Sequence, residues 1–175
     1  YGRSPADPYF DEFWSRVNEA KLPVVLHLSG PLAHRGVEWS EDPNTPYKDF
    51  NGFQWLTMWS DWPIMETVAM LVFHSFLTRF PNINVLIAEF GTPWVPYFVR
   101  KLDHAHLLGR KPKWSDGLPM RPSALFKTRF VVAPYPEENV QRAIDVIGSE
   151  PLVFGSDFPH SEGLPDPVQY LAQVK

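Results

Sequence analysis

Cysteine is absent from all 175 residues. That excludes a disulfide framework and any zinc site built on thiolates. It fits a reducing compartment, so the cytoplasm is the expected location. No apolar run approaches the ~18 residues of a membrane span, and no charged-then-apolar opening marks a signal peptide. A basic excess is missing too: 16 Lys and Arg face 20 Asp and Glu, a formal net charge of -4. A partner held through its phosphates needs a basic face, which argues against nucleic acid. Charged residues make up 21% and hydrophobic residues 44%, a globular composition and not a disordered one. There is no internal repeat and no low-complexity tract.

What is present is a high aromatic content of 15% and 19 prolines, which suggest long, ordered, aromatic-rich loops. Apolar residues at Phe10, Phe13, Trp14, Val17 and Ala20 have helical spacing. Pro23 to Gly30 is a short apolar run closed by glycine, the pattern of a strand buried on both faces. From Pro31 to about Trp62 the chain is irregular in pattern and holds Trp39, Trp55, Trp59 and Trp62, as expected of an ordered lid or pocket wall. Asp61 is a candidate N-cap and Pro63 a first-turn proline for a helix running to Arg79-Phe80. Ile83 to Gly91 predicts a second strand, and Trp94 to about Leu108 a helix with Pro96 in its first turn. A short helix is expected around Ser123 to Phe126, a third strand at Arg129 to Ala133, and a helix opening at Pro136-Glu137-Glu138. Pro151 to Asp157 completes the set as a fourth strand. The chain opens on Tyr1 and stops at Lys175 inside the first turn of a helix, so both ends look cut.

Alternating strands and helices imply a parallel sheet with right-handed crossovers. An open doubly wound sheet and a (β/α)8 barrel both satisfy that order. A barrel needs eight strands and about 250 residues, and four strands fit here.

Three ionisable residues fall at strand C-terminal tips: His27, Glu89 and Asp157. In barrels the chemistry is carried by the tips of several strands at that end. Imidazole with carboxylate suits zinc or manganese, and a catalytic zinc usually takes three protein ligands. Taken singly, a strand histidine is commonly a hydrogen-bonded structural group and a strand-end aspartate a turn residue. Their coincidence is what points to a site.

The segment from Glu66 to Asp103 resembles amidohydrolase family 2, the group that includes aminocarboxymuconate-semialdehyde decarboxylase. The likeness rests on the helix ending in Arg79-Phe80-Pro81, the strand after it, Gly91 with Pro96, and Arg100 with Asp103, read as an ion pair. Gly155-Ser156-Asp157-Phe158-Pro159-His160, with Glu162-Gly163, resembles the family's eighth-strand signature, and Leu22 to His27 its fifth strand. The resemblance covers nearly the whole chain. It implies an α/β fold, the C-terminal half (about four βα units) of a (β/α)8 TIM barrel, as one partial domain over residues 1–175, with 31–62 as an aromatic-rich loop.

It also implies roles. His27 matches the metal-binding histidine of the fifth strand, and Asp157 the eighth-strand aspartate, which binds the metal and can handle a proton. Glu89 stands where many relatives have histidine. It is either a general acid/base or a carboxylate bonded to backbone or arginine. His160 is a substrate contact, an orienting partner of Asp157 or a turn residue. Trp55 and Trp59 are candidates for an aromatic substrate pocket or an oligomer contact. The further ligands of the family's first strand are missing; the pair His104 and His106 falls late on a helix and reads as solvated. His34 reads as a loop residue and His74 as a packing residue. The cofactor implied is a divalent metal, zinc or manganese. The expected partners are a small carboxylate or lactone substrate and a second copy in a homodimer, with no membrane. The expected activity is decarboxylation of an aromatic or muconate-like carboxylate; hydrolysis of a lactone, amide or ester, or an inactive self-associating half-barrel, are the competing readings.

Overall fold

The computed structural model describes residues 2–28, 38–111, 113–114, 117–160, 163–168 and 170. His34, Gly30 and Glu162 lie outside them. Three parallel strands form the sheet, in the order β1 (Val24–His27), β2 (Val85–Ala88) and β3 (Phe130–Val132). Val24 is level with Val85 and His27 with Ala88, while Val85 aligns with Phe130. All C-terminal tips therefore share one edge.

The helices are α1 (Asp11–Glu19), α2 (Gly52–Met58), α3 (Trp62–Phe73), α4 (Phe76–Arg79), α5 (Val95–Leu108), α6 (Pro122–Arg129) and α7 (Val140–Ile147). Among the described residues no helix is long and apolar enough to cross a membrane. One face of the sheet carries the core: Val85, Ile87 and Val132 are fully buried against Val68, Val72, Phe76 and Phe126. Phe126 stacks on Phe130 with ring centroids 4.9 Å apart, worth about 1 kcal/mol beyond the area buried. Arg79 ties α4 to the N-terminal segment through Asp11 and the Ala6 carbonyl.

Several expectations are revised. β1 is not buried on both faces: Val25 and His27 are exposed while Val24 and Leu26 are half-buried. Among the described residues helices cover only the second set, which leaves open the face that a barrel would turn inward. The stretch expected as irregular contains a 3-10 turn at Tyr47–Asp49 and all of α2. Asn51 and Gln54 close a capping box there, each side chain accepting from the other's backbone N–H. The helix expected to reach Arg79 breaks at Ser75, whose φ of 54° is left-handed. The helix expected from Pro136 begins at Val140, because Asn139 caps it by accepting from the Arg142 N–H at 2.9 Å. Asp103 does not pair with Arg100; it accepts from Arg121 at 3.0 Å and from the Ser123 N–H at 2.9 Å, tying α5 to α6. The fourth strand shrinks to one bridge between Val132 and Leu152. Its run is held on one side only, by the Val132 N–H to Pro151 and the Val153 N–H to Val132.

Candidate metal and catalytic site

The parallel register brings His27, Glu89 and Asp157 to one edge, and the turn after Asp157 adds His160. His27 Nε2 lies 3.1 Å from Glu89 Oε1. His160 Nδ1 lies 3.1 Å from Asp157 Oδ1 and 3.7 Å from Glu89 Oε1. The carboxylates sit deeper, with side chains 19% and 20% exposed, and the imidazoles form the rim at 53% and 55%.

Local backbone geometry makes this convergence possible. Glu89 and Asp157 both adopt left-handed conformations, with φ of 61° and 55°. A non-glycine residue there costs of order 1 kcal/mol or more, and such strain gathers where a side chain must be aimed against local preference. Each is held from outside. The Tyr135 hydroxyl donates to the Glu89 carbonyl at 3.0 Å. Glu138 accepts from the Tyr135 and Thr92 N–H groups, each at 2.9 Å, and from the Thr92 hydroxyl. Gly91, at φ 57°, lets this clamp close: a Cβ there would run into the Glu138 carboxylate and the Tyr135 ring. Beside Asp157, Gly163 serves the same purpose, since a Cβ on it would stand 2.6 Å from the Asp157 carbonyl oxygen.

The electrostatics follow from crowding. Burial pushes the Glu89 carboxyl up from its ordinary value of 4.5, and a hydrogen bond to Asp157 and the charge of Asp157 add to the rise, while His27 and His160 pull the other way. His27 Nδ1 lies 2.6 Å from the Leu28 carbonyl. Donation there leaves Nε2 as the lone-pair nitrogen of the neutral ring, turned toward Glu89. One proton between Nε2 and the Glu89 carboxyl satisfies both; a cation in its place would satisfy more groups at once. Glu89, Asp157 and His160 each offer a ligand atom, all within 4.8 Å of one another. A mixed nitrogen and oxygen set of this kind fits a divalent cation such as zinc or manganese.

This cluster opens into a cavity of about 710 Å³ whose wall includes Trp55, Trp59 and Tyr47 from the aromatic segment. Trp55 packs edge-on to Tyr47 with centroids 5.0 Å apart. The same wall includes Asp61, Tyr135 and Glu137. Tyr135 is pushed up to about 12 by burial and by the charges of Asp61, Glu138, Glu137 and Glu89. Of the residues singled out in the sequence, the structure brings His27, Glu89, Asp157 and His160 together and places Trp55 and Trp59 in the cavity wall. Sequence reasoning did not single out Tyr135 or Glu138 as site residues and took Asp61 for a helix cap. The signal available was Gly91 beside a predicted strand end, which asks what approaches so closely. The paired histidines His104 and His106 are exposed on α5, away from the cluster, and His74 packs its ring against Trp114 at 5.0 Å.

A family model described as amidohydrolase matches residues 2–174. The chain belongs to the amidohydrolase family. Among solved structures, an amidohydrolase from Mycobacterium avium subsp. paratuberculosis K-10 aligns over 99% of this chain and 42% of its own, at 31% identity and a TM-score of 0.79. A 2,6-dihydroxybenzoate decarboxylase from Rhizobium aligns over 96% of this chain and 49% of its own, at 18% identity and a TM-score of 0.63. A dihydroxybenzoic acid decarboxylase from Polaromonas sp. JS666, solved with manganese and the inhibitor 2-nitroresorcinol, aligns over 95% and 48%, at 16% identity and a TM-score of 0.66. No curated protein sequence matches. This amidohydrolase chain thus spans about half the length of the structures it resembles, and its open three-stranded parallel sheet is the C-terminal half of their (β/α)8 barrel.

Proposed function

We propose that this amidohydrolase is a metal-dependent decarboxylase acting on an aromatic or muconate-like carboxylate. The carrying observation is the meeting of His27, Glu89 and Asp157, with His160 beside Asp157, where an aromatic-walled cavity opens. The decarboxylase names of two structural neighbours, one of them with manganese, support the reaction class. His27 and Asp157 would hold the cation, zinc or manganese, with Glu89 and His160 within reach of it. A bound divalent cation supplies positive charge that a substrate carboxylate needs in an acidic cavity.

The protein's own groups then have distinct tasks. Trp55 and Trp59 flank a planar ring and shed water from it. Glu89, whose raised pKa keeps it protonated more readily than an ordinary carboxyl, delivers its proton to the ring carbon. The carbon–carbon bond to the carboxylate breaks, its electron pair takes that proton, and carbon dioxide leaves. Asp157 receives or returns protons beside Glu89, and His160 orients Asp157 through the 3.1 Å contact.

One observation favours a second reading, hydrolysis of a neutral lactone, amide or ester. Among the described lining residues are the carboxylates of Asp61, Glu89, Glu137 and Asp157, and neither lysine nor arginine. The test is direct. The full chain, supplied with manganese or zinc, is offered a panel of aromatic carboxylates and a panel of lactones. Metal-dependent carbon dioxide release, abolished by a chelator, is the expected outcome. Ring opening without carbon dioxide would install the hydrolase reading instead.

A further inference from the structure

Asp61 stands immediately before α3, where an aspartate ordinarily caps the helix. It does not: its backbone is already helical at φ -76°, and its side chain makes no cap hydrogen bond. Ser60 takes that task, its hydroxyl accepting from the Trp62 N–H at 3.0 Å. Among the described residues the Asp61 carboxylate has no hydrogen-bond or salt-bridge partner, yet it is half-buried in the cavity wall two residues from Trp59. Burial and the charge of Glu138 push its carboxyl up from the ordinary 3.8, so the position costs the protein something. Among the described residues Asp61 is not part of the Glu89, Asp157 and His160 group that could hold a metal.

A carboxylate that forgoes a helix cap and stays half-desolvated on an aromatic-lined wall is an acceptor without a donor. The neighbouring Tyr135 phenol is not that donor, since it already donates to the Glu89 carbonyl. We propose that Asp61 is the specificity-determining residue of this cavity, selecting substrates that carry a hydrogen-bond donor, a ring hydroxyl or amino group, at the end turned away from the His27–Glu89–Asp157 cluster. The inference rests on the reading of the cavity as the substrate site. A site built around an acceptor discriminates strongly against the analogue that lacks the donor, because the buried acceptor is then left unpaired.

The test uses phenol and anisole, which differ by donor against methyl ether and carry no group that can be decarboxylated or hydrolysed. Binding to the full chain is measured by calorimetry for the wild type, Asp61→Ala and Asp61→Asn. The expected result is a preference for phenol of about 10- to 100-fold in the wild type. It should fall to within about threefold in Asp61→Ala and to an intermediate value in Asp61→Asn, which retains an acceptor oxygen. Circular dichroism confirms that each variant is folded; the asparagine variant keeps the shape if alanine does not. No preference in the wild type, or the same preference in a folded variant, overturns the proposal. Carbon dioxide release and lactone opening are read separately, so failure of the reaction class and failure of Asp61 as selector give different patterns.

Discussion

Glu89 faces two demands that conflict elsewhere in a protein: a carboxyl held in a left-handed backbone conformation, and one pressed against a second carboxyl. Both are tolerable where a proton or a cation resolves the crowding. Glu89→Gln keeps the shape and removes the transferable proton. It should lower turnover by about 100-fold or more while leaving KM for the carboxylate within a few-fold, as steady-state kinetics would show. Undiminished turnover would return Glu89 to a structural role. The clamp that aims it can be tested independently of chemistry. At Gly91 an alanine would meet both a positive φ and the Glu138 carboxylate. Gly91→Ala should cost about 2 kcal/mol or more in chemical denaturation, the sum of backbone strain and overpacking. A cost near zero would mean that the 89–92 and 133–138 turns are not held against each other by this contact.

Between elements, Asp103 is the clearest tie, since it joins α5 to the start of α6. Burial raises its carboxyl, but hydrogen bonds from Ser123 and the Arg121 charge outweigh that and hold it below its ordinary 3.8. A carboxyl lowered in the folded state adds stability that is present above 3.8 and lost as pH falls through the lower folded value. Asp103→Asn should therefore be less stable than the wild type by about 1 kcal/mol at neutral pH. Most of that comes from the bond donated by the Ser123 N–H, which asparagine keeps only as a weaker neutral one, because Arg121 is largely exposed and its ion pair is screened. Denaturation curves taken from pH 7 downward should show the difference closing below about pH 4. A gap independent of pH would mean that charge plays no part. The same scale shows what sequence reading can reach. β2 and α5 were legible because an apolar run closes on Gly91 and Pro96 marks the first turn of the next helix. The break at Ser75 carries neither glycine nor proline, so nothing in the pattern marks it. α2 lies among turn-forming residues, and only the pairing of Asn51 with Gln54 betrays it. His27, Glu89 and Asp157 were singled out because strand tips are where barrels place chemistry, and the structure brings their side chains together. Asp61 and Tyr135 sit in connecting segments, and only the folded chain brings them to the cavity.

At the scale of the whole molecule, the sheet is unevenly protected. Parallel sheets are normally covered on both faces. Here helices cover one, while on the other Leu86 and Val131 are half-buried and Val25 is 52% exposed. Among the described residues β1 is also an edge strand, paired on one side with β2. Among the described residues its guards are short length and the neighbouring Lys21 and Pro23, devices that blunt edge pairing without removing the apolar face behind it. Exposed Leu22, Trp39 and Trp62 widen the apolar surface. A sheet with an open edge and an uncovered face gains by burying both against another surface, at about 25 cal/mol per Å² of apolar area. A polypeptide of these 175 residues, prepared by itself, should therefore self-associate in a concentration-dependent way by light scattering. Charged substitution at Val25, on the edge strand of the open face, should weaken that association more than the same change at exposed Val146 on α7, on the helical side of the sheet. A monodisperse monomer with a sharp melting transition would mean that the uncovered face is satisfied within the chain itself, and the argument from the open sheet would then fail.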